Sequence, residues 1–195
     1  MRPGPSLFPR PDCPAPYTNC PMGTNPGRTH RFYTGKAIVP FGFGLSYTTF
    51  TYEPAATATN VSLAPVHQLL DDAYKAGRTF PSAEVVAAMA PLASYNVKVT
   101  NTGKMDADDV VLGFLVPPGA GENGVALQTL FGFERIHVLA GQTVSVNLYP
   151  EMTDFALTAL DGTKEPAAGE WTVRFGVQET AAHGQGFAEL KLNTY

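Results

Sequence analysis

The sequence predicts an antiparallel β-sandwich, and three observations support this prediction. Apolar and polar residues alternate in several short runs, turn-forming residues separate these runs, and helical periodicity is confined to one stretch. The first clear run places Tyr95, Val97 and Val99 on one phase and polar residues on the other. Strands of an antiparallel sheet with one buried face have this period of two.

The same alternation recurs further along the chain. The apolar members of the later runs are Val144, Val146 and Leu148; Trp171, Val173, Phe175 and Val177; and Ala188, Leu190 and Leu192. Turn signals separate the runs at 101–104, 140–142 and 161–162. Short strands with turns between them predict two sheets packed face to face.

The first part of the chain lacks this pattern. Residues 1 to about 36 contain 8 of the 17 prolines, all before position 27, and show no hydrophobic periodicity. Such a composition predicts an extended, largely unpaired arm. Residues 37–195 are therefore assigned to the sandwich domain.

Residues from about 61 to 93 interrupt the strands and predict a two-helix insertion. In the first helix, apolar residues recur at helical spacing before Gly77, namely Val66, Leu69, Leu70 and Ala73. Ser82 is placed to cap the second helix, whose apolar side would comprise Val85, Val86 and Met89, and Pro91 would end it.

The run from Val110 to Val116 is apolar on both phases. In an open sandwich, one of these two rows would face water unless something covers it. Two covers are open at this point: the helical insertion, or domains outside this chain.

Composition excludes several partners. A net charge of −4 and a pI near 5.5 argue against nucleic acid, which requires a basic face. No run reaches the length of a membrane span, so we expect no membrane partner. The N-terminus also lacks the apolar core of a signal peptide.

Catalytic and metal-binding patterns are weak. The densest acidic cluster, Asp106, Asp108 and Asp109, follows a turn signal, where aspartates mainly accept backbone hydrogen bonds. It does not match a calcium loop, and the histidines are scattered, at His30, His67, His137 and His183. We therefore expect no catalytic residue, no metal site and no cofactor in this chain.

Two features favour a secreted protein. Cys13 and Cys20 are close enough in sequence to form a disulfide by closing a short loop, whereas two cysteines alone make a poor zinc site. Asn60-Val61-Ser62 is an N-glycosylation acceptor triplet. Both the Cys13–Cys20 disulfide and glycosylation of Asn60 are candidates.

Five motifs carry a resemblance to a known family. They are Arg28–Gly35, Pro40–Phe50, Tyr95–Lys104, Leu130–Arg135 and Gly169–Gly176. In this order they resemble the C-terminal fibronectin type III-like domain, with its preceding linker, of family 3 glycoside hydrolases, closest to the β-xylosidase and β-glucosidase group. The resemblance implies an immunoglobulin-like sandwich over roughly residues 26 to 192.

The resemblance also implies a function. In such extracellular enzymes the nucleophilic aspartate and the acid/base carboxylate lie on two domains that precede the linker. We expect this chain to be an accessory domain or fragment that is inactive alone. Its parent would be an exo-acting glycosidase of xylan breakdown, and its partners would be that enzyme's catalytic domains, in cis or in trans.

The resemblance assigns a docking role to one segment. The residues expected to dock on the catalytic domains are Arg28, Arg31, Tyr33, Phe41, Phe43, Leu45 and Tyr47. The loop at 117–124 could form one wall of the substrate entrance or be a plain strand connection. Two other functions stay open: a free-standing module that binds oligosaccharide, and a protein-interaction module that uses an exposed apolar strand.

Overall fold

The structure is a computed structural model, and it describes residues 4–9, 22–25, 27–159, 161–177 and 186–195. The described strands are β1 (Gly4–Pro9), β2 (Met22–Asn25), β3 (Phe50–Ala56), β4 (Asn60–Val61), β5 (Tyr95–Asn101), β6 (Ala107–Val116), β7 (Thr129–Val138), β8 (Thr143–Leu148), β9 (Ala156–Thr158), β10 (Lys164–Pro166), β11 (Gly169–Phe175) and β12 (Ala188–Thr194). The helices are α1 (Thr29–Phe32), α2 (Ala64–Lys75) and α3 (Ala83–Ala87), and a 3-10 turn spans Met152–Phe155.

Two antiparallel sheets form the body of the described protein. One has the strand order β4-β12-β11-β6-β7, in which only the short β4–β12 pairing is parallel. The other has the order β3-β5-β8. The predicted antiparallel sandwich is confirmed, and β5, β8, β11 and β12 coincide with the alternating runs of the sequence.

The core lies between the two sheets. Tyr95, Val97 and Val99 of β5 are buried, and they face the buried side chains of Trp171, Val173 and Phe175 from β11. Phe155 meets Trp171 edge to face, with ring centroids 5.5 Å apart. Burying side chains of this size contributes about 1.5–3 kcal/mol each, so these rings supply much of the free energy that holds the sheets together.

The helical insertion extends this core. Val66, Leu69, Leu70 and Ala73 of α2 are all buried, which confirms the helical period of the sequence. Leu69 and Leu70 belong to the same hydrophobic cluster as Trp171. None of the described helices is long and apolar enough to cross a membrane.

The second helix differs from its prediction. It ends at Ala87, well before Pro91, and only Val86 is buried, whereas Val85 and Met89 are 46% and 40% exposed. The Ser82 side chain makes no capping hydrogen bond. A helix of little more than one turn presents too narrow a face to bury three apolar side chains.

The arm also differs from its prediction. It was expected to be largely unpaired, but β1 pairs antiparallel with β2, and α1 lies within the same region. Extended segments carry free N–H and C=O groups, so pairing satisfies groups that the arm would otherwise leave to water. Cys13 and Cys20 lie outside the described residues, and their disulfide stays a prediction.

Candidate docking surface

The linker is defined here as residues 27–49, the segment before β3, and it includes the last ten residues of the predicted arm. Its C-terminal end is tied to the sandwich by a buried asparagine. The Thr48 hydroxyl donates to Oδ1 of Asn101 at 2.6 Å, and the Gly103 N–H donates to the same oxygen at 3.1 Å. The Asn101 amide nitrogen donates to the carbonyls of Met105 and Val138 at 2.8 and 3.0 Å. This network fixes where the linker enters the first strand of the smaller sheet.

The middle of the linker packs on the outer face of β6. Phe41 stacks on His30, with ring centroids 4.1 Å apart, and lies 6.1 Å from the ring of Phe114. Gly42 approaches so closely that a Cβ there would lie 2.3 Å from Leu112 Cδ1. Its φ of +81° also favours glycine.

These contacts answer the question of what covers β6. The expected covers were the helical insertion or domains outside the chain; within the described residues the linker, and not the helical insertion, lies over Leu112 and Phe114, while Val110 is 42% exposed. Phe114 is fully buried under His30, Phe41 and Phe187, which belong to this chain. Phe41, Phe43, Leu45 and Tyr47 recur with the strand period of two, but residues 41–49 form no strand, so this alternation does not identify the side chain that lies over β6.

Burial favours the neutral form of His30 at this site. Burial, and secondarily the charge of Arg31, lowers the pKa of His30 below its ordinary value. Its Nε2 atom is buried and has no hydrogen-bond partner among the described residues. His30 therefore acts here as a flat ring between Phe41 and Phe114 and not as a charged group.

Other parts of the linker point away from the sandwich. Leu45 and Tyr47, two predicted docking residues, are 86% and 93% exposed. Ile38 and Val39, which the sequence reading did not single out, are 100% and 64% exposed. Two consecutive β-branched apolar residues are visible in the sequence. Such a pair is typical of a strand, but residues 37–40 form no strand.

The remaining predicted docking residues divide between the two roles. Arg28 and Arg31 are exposed, and Tyr33 is 39% exposed. Phe41 packs on His30 although it is 48% exposed, and Phe43 is partly buried, with its N–H donating to the Pro40 carbonyl at 3.2 Å. The predicted set therefore combines anchoring side chains with side chains that are free to contact a partner.

An open groove of about 810 Å³ runs between the linker and the larger sheet. Its lining includes His30, Tyr33, Lys36, Phe41, Arg174 and Phe187. Arg174 is oriented by Glu189, whose carboxylate lies 2.6 Å from Nε, and by the Phe187 ring, whose centroid is 5.3 Å from the guanidinium carbon. Ala120, from the loop at 117–124, also lines the groove, so this loop borders the linker.

A smaller cavity of about 290 Å³ lies under the other side of α1. Arg31, Asp154 and Lys164 line it, and no ion pair joins them among the described residues. Burial raises the pKa of Asp154 to about 6, while the Glu151 N–H that donates to its carboxylate opposes this shift. Burial and the nearby Arg31 lower the pKa of Lys164.

The acidic cluster is distributed among separate local contacts. Asp106 accepts the Ala140 N–H at 2.8 Å, and Asp109 accepts the Tyr52 hydroxyl. Asp108 contacts two side chains of β7: His137 Nδ1 at 2.6 Å, and Arg135, whose Nη2 donates to it at 2.6 Å. Hydrogen bonding to His137, and then to Arg135, lowers the pKa of Asp108. Among the described residues no cluster of metal-ligating side chains occurs.

Asn60 is exposed on β4, an edge strand of the larger sheet. Its side-chain amide donates to the Thr59 hydroxyl at 3.1 Å, and the next residue, Val61, is buried. An exposed side chain at the sheet edge leaves room for a glycan. Glycosylation of Asn60 stays a prediction.

Comparisons with known proteins identify relatives of the chain. No protein-family model matches it. β-D-xylosidase 1 of Arabidopsis thaliana is 37% identical over 132 residues, which are 65% of this chain and 17% of that protein. A probable exo-1,4-β-xylosidase of Aspergillus fumigatus is 34% identical over 168 residues, 82% of this chain and 20% of that protein. The chain thus spans about a fifth of the length of the curated relatives it matches.

Solved structures support the fold. A β-glucosidase from Erythrobacter marinus superposes with a TM-score of 0.58 at 21% identity, over 86% of this chain and 18% of that one. A β-glucosidase from Listeria innocua gives 0.57 at 16% identity, over 80% and 18%. A GH3 β-glucosidase of Bifidobacterium adolescentis gives 0.50 at 24% identity, over 78% and 18%.

Proposed function

The chain is homologous to the β-xylosidases and β-glucosidases of glycoside hydrolase family 3, and we propose that it is their fibronectin type III-like C-terminal accessory domain. In this role it docks on the catalytic domains of an exo-acting β-xylosidase or β-glucosidase and stabilises them. The parent enzyme would act outside the cell, on oligosaccharides of xylan breakdown.

The observation that carries this proposal is the outward apolar side of the linker. Ile38, Leu45 and Tyr47 are 86–100% exposed although the same segment is anchored on the sandwich by Phe41 and Thr48. An anchored segment that still presents large apolar side chains indicates a binding surface. Fully burying one such side chain contributes about 1.5–3 kcal/mol, so covering three provides a substantial driving force for docking.

The acidic side chains support an accessory role. A retaining glycosidase needs two carboxyl groups about 5–5.5 Å apart across a sugar-sized pocket. The three aspartates of the cluster instead contact separate partners, on β3, on β7 and in the turn at Ala140. We expect the chain alone to leave aryl β-xyloside and β-glucoside uncleaved. Turnover that disappears when Asp106, Asp108 and Asp109 are all changed to Asn would contradict this expectation.

Trans-complementation tests the docking role directly. The catalytic part of the Arabidopsis β-D-xylosidase 1 or of the Aspergillus relative would be produced without the residues that this chain matches. Addition of this chain is expected to raise its melting temperature and its rate of aryl β-xyloside hydrolysis. The variant Tyr47→Ser should weaken the effect, while Tyr149→Ser, at a tyrosine that is 59% exposed outside the linker, should not. No effect of the unmodified chain on either partner would refute the proposal.

A further inference from the structure

The linker differs in charge from the rest of the protein. Residues 27–49 contain Arg28, Arg31 and Lys36 and no Asp or Glu, so all 17 acidic residues lie elsewhere in a chain of net charge −4. His30 adds no positive charge near neutral pH, because burial lowers its pKa. The linker is therefore a short basic strip on an otherwise acidic protein.

Two cations of this strip, Arg28 and Lys36, have no carboxylate partner among the described residues, whereas Arg31 shares a cavity with Asp154. Arg28 and Lys36 are exposed, and no ion pair reaches either of them from the described residues. Cations on the larger sheet behave differently, since Arg135 pairs with Asp108 and Lys191 pairs with Glu170. The cations of the larger sheet thus have local carboxylate partners, and the linker contains no carboxylate.

The cations lie on the same segment as the exposed apolar residues. Lys36 precedes Ile38 by two residues, and Leu45 and Tyr47 follow within the same linker. Lys36 and Val39 also line one groove together. An apolar centre with charged residues around it is the usual composition of a protein–protein interface. Complementary charge across such an interface steers association and fixes orientation.

We infer that the surface on which the linker docks is itself acidic: carboxylates of the catalytic domains face Arg28 and Lys36, around an apolar recess that receives Ile38, Leu45 and Tyr47. This inference rests on the proposed docking function and specifies the chemistry of the partner. An anionic membrane or a nucleic acid would also attract cations. Both would be repelled by the acidic remainder of the chain, and neither offers a recess shaped for apolar side chains.

Charge reversal in a binding measurement tests the inference. The catalytic part of each relative named above would be immobilised, and this chain would be applied at salt concentrations from about 50 to 500 mM, a range over which exposed charges become screened. We expect binding to weaken as salt rises. Arg28→Glu with Lys36→Glu should weaken binding at low salt by about 10-fold or more and remove most of the salt dependence.

Matched variants separate charge from general damage. Lys98→Glu with Lys104→Glu changes the net charge by the same amount as the reversal of Arg28 and Lys36, but at exposed lysines outside the linker. Because the inference requires charge at the linker itself, this control should change the affinity less than about 2-fold. Leu45→Ser should weaken binding while leaving its salt dependence in place. Circular dichroism melting of each variant identifies any that is unfolded, and Arg28→Gln with Lys36→Gln then replaces a charge-reversal variant that fails.

The outcomes distinguish the two proposals. Binding that ignores salt and tolerates the reversal of Arg28 and Lys36 overturns the acidic-partner inference and leaves the docking function standing. No binding of the unmodified chain to either catalytic part refutes the docking function itself. Equal or stronger charge-dependent binding to vesicles that contain phosphatidylserine, compared with phosphatidylcholine alone, would replace the protein partner by a membrane and also overturn the inference.

Discussion

Tyr95 provides a sharp test of the packing described above, because its hydroxyl is buried without a partner. The residue is 1% exposed, its ring packs on Phe131 and Phe175, and its hydroxyl has no hydrogen bond within the described residues. In the unfolded chain the same hydroxyl bonds to water. Folding therefore loses a hydrogen bond at this atom, and Tyr95→Phe should make the protein more stable.

The size of the effect follows from two opposing contributions. An unsatisfied buried polar group costs about 1–3 kcal/mol. Deleting one oxygen leaves a void of about 15 Å³, which at about 24 cal/mol per Å³ costs roughly 0.4 kcal/mol. The expected gain for Tyr95→Phe is about 1 kcal/mol in the free energy of unfolding. For a chain of this length that corresponds to a rise of about 2–4 °C in melting temperature.

The pH dependence gives the same prediction a second signature. Burial raises the pKa of Tyr95 to about 12, so the folded state holds the phenolic proton more tightly than the unfolded state, whose pKa is about 10. Below pH 10 this difference costs nothing, and between pH 10 and 12 stability falls by about 1.4 kcal/mol per pH unit. The advantage of Tyr95→Phe over the unmodified protein should therefore grow in this alkaline range.

Urea unfolding followed by circular dichroism at pH 7 and pH 11 measures both effects. Tyr52→Phe is the matched control, since the Tyr52 hydroxyl donates to Asp109. Hydrogen bonds to charged groups contribute about 1.5–3 kcal/mol, so this variant should be destabilised. A loss of stability on Tyr95→Phe comparable to that of Tyr52→Phe would refute the reasoning, because it would mean that the Tyr95 hydroxyl has a partner, such as a buried water.

Three further predictions concern the linker and its supports. Asn101→Ala should lower the free energy of unfolding by about 2–4 kcal/mol, because it leaves several buried hydrogen-bond partners unsatisfied. In the same urea assay Asn96→Ala, which removes a more exposed hydrogen bond to Asn147, should lower it by less than about 1 kcal/mol. Gly42→Ala should lower the melting temperature and increase dye binding to exposed apolar surface, because φ is positive there and a Cβ would contact Leu112. Gly44→Ala should change neither, since a Cβ added at Gly44 would meet no atom within 4 Å. Asp154→Asn should become more stable relative to the unmodified protein as pH rises from about 4 to 6. The folded pKa of Asp154, about 6, exceeds the ordinary value, so ionisation of this carboxyl lowers the stability of the unmodified protein in this range. Equal pH profiles of the two proteins would contradict this.

Much of the fold could be predicted from local pattern. The strands β5, β8 and β11 and the helix α2 each carry a period that matches their secondary structure, and the predicted inward phases of β5 and α2 are buried. The short helix α3 was located correctly, but its buried side was not, because five residues do not define a face. The pairing of β1 with β2 was missed because no hydrophobic alternation marks those segments.

The candidate site was predicted less completely. Motif resemblance selected the linker, and Leu45 and Tyr47 are indeed exposed there. It could not separate them from Phe41, which is turned onto β6, and it did not include Ile38. These orientations depend on side chains that lie far away in sequence, so no local pattern in the linker encodes them.

The sequence by itself determined the strands β5, β8 and β11, the helix α2 and the family that this chain resembles, because periodicity and motifs are local properties of the chain. The tertiary structure alone decided which linker rings cover the sheet and which remain available to a partner. Phe41 packs against His30 and over Phe114 and is 48% exposed, whereas Tyr47 is 93% exposed beside Thr48, whose hydroxyl donates to Asn101. Burial in a segment that forms no strand or helix is fixed by the surface it meets, and that surface exists only after the sheets have assembled.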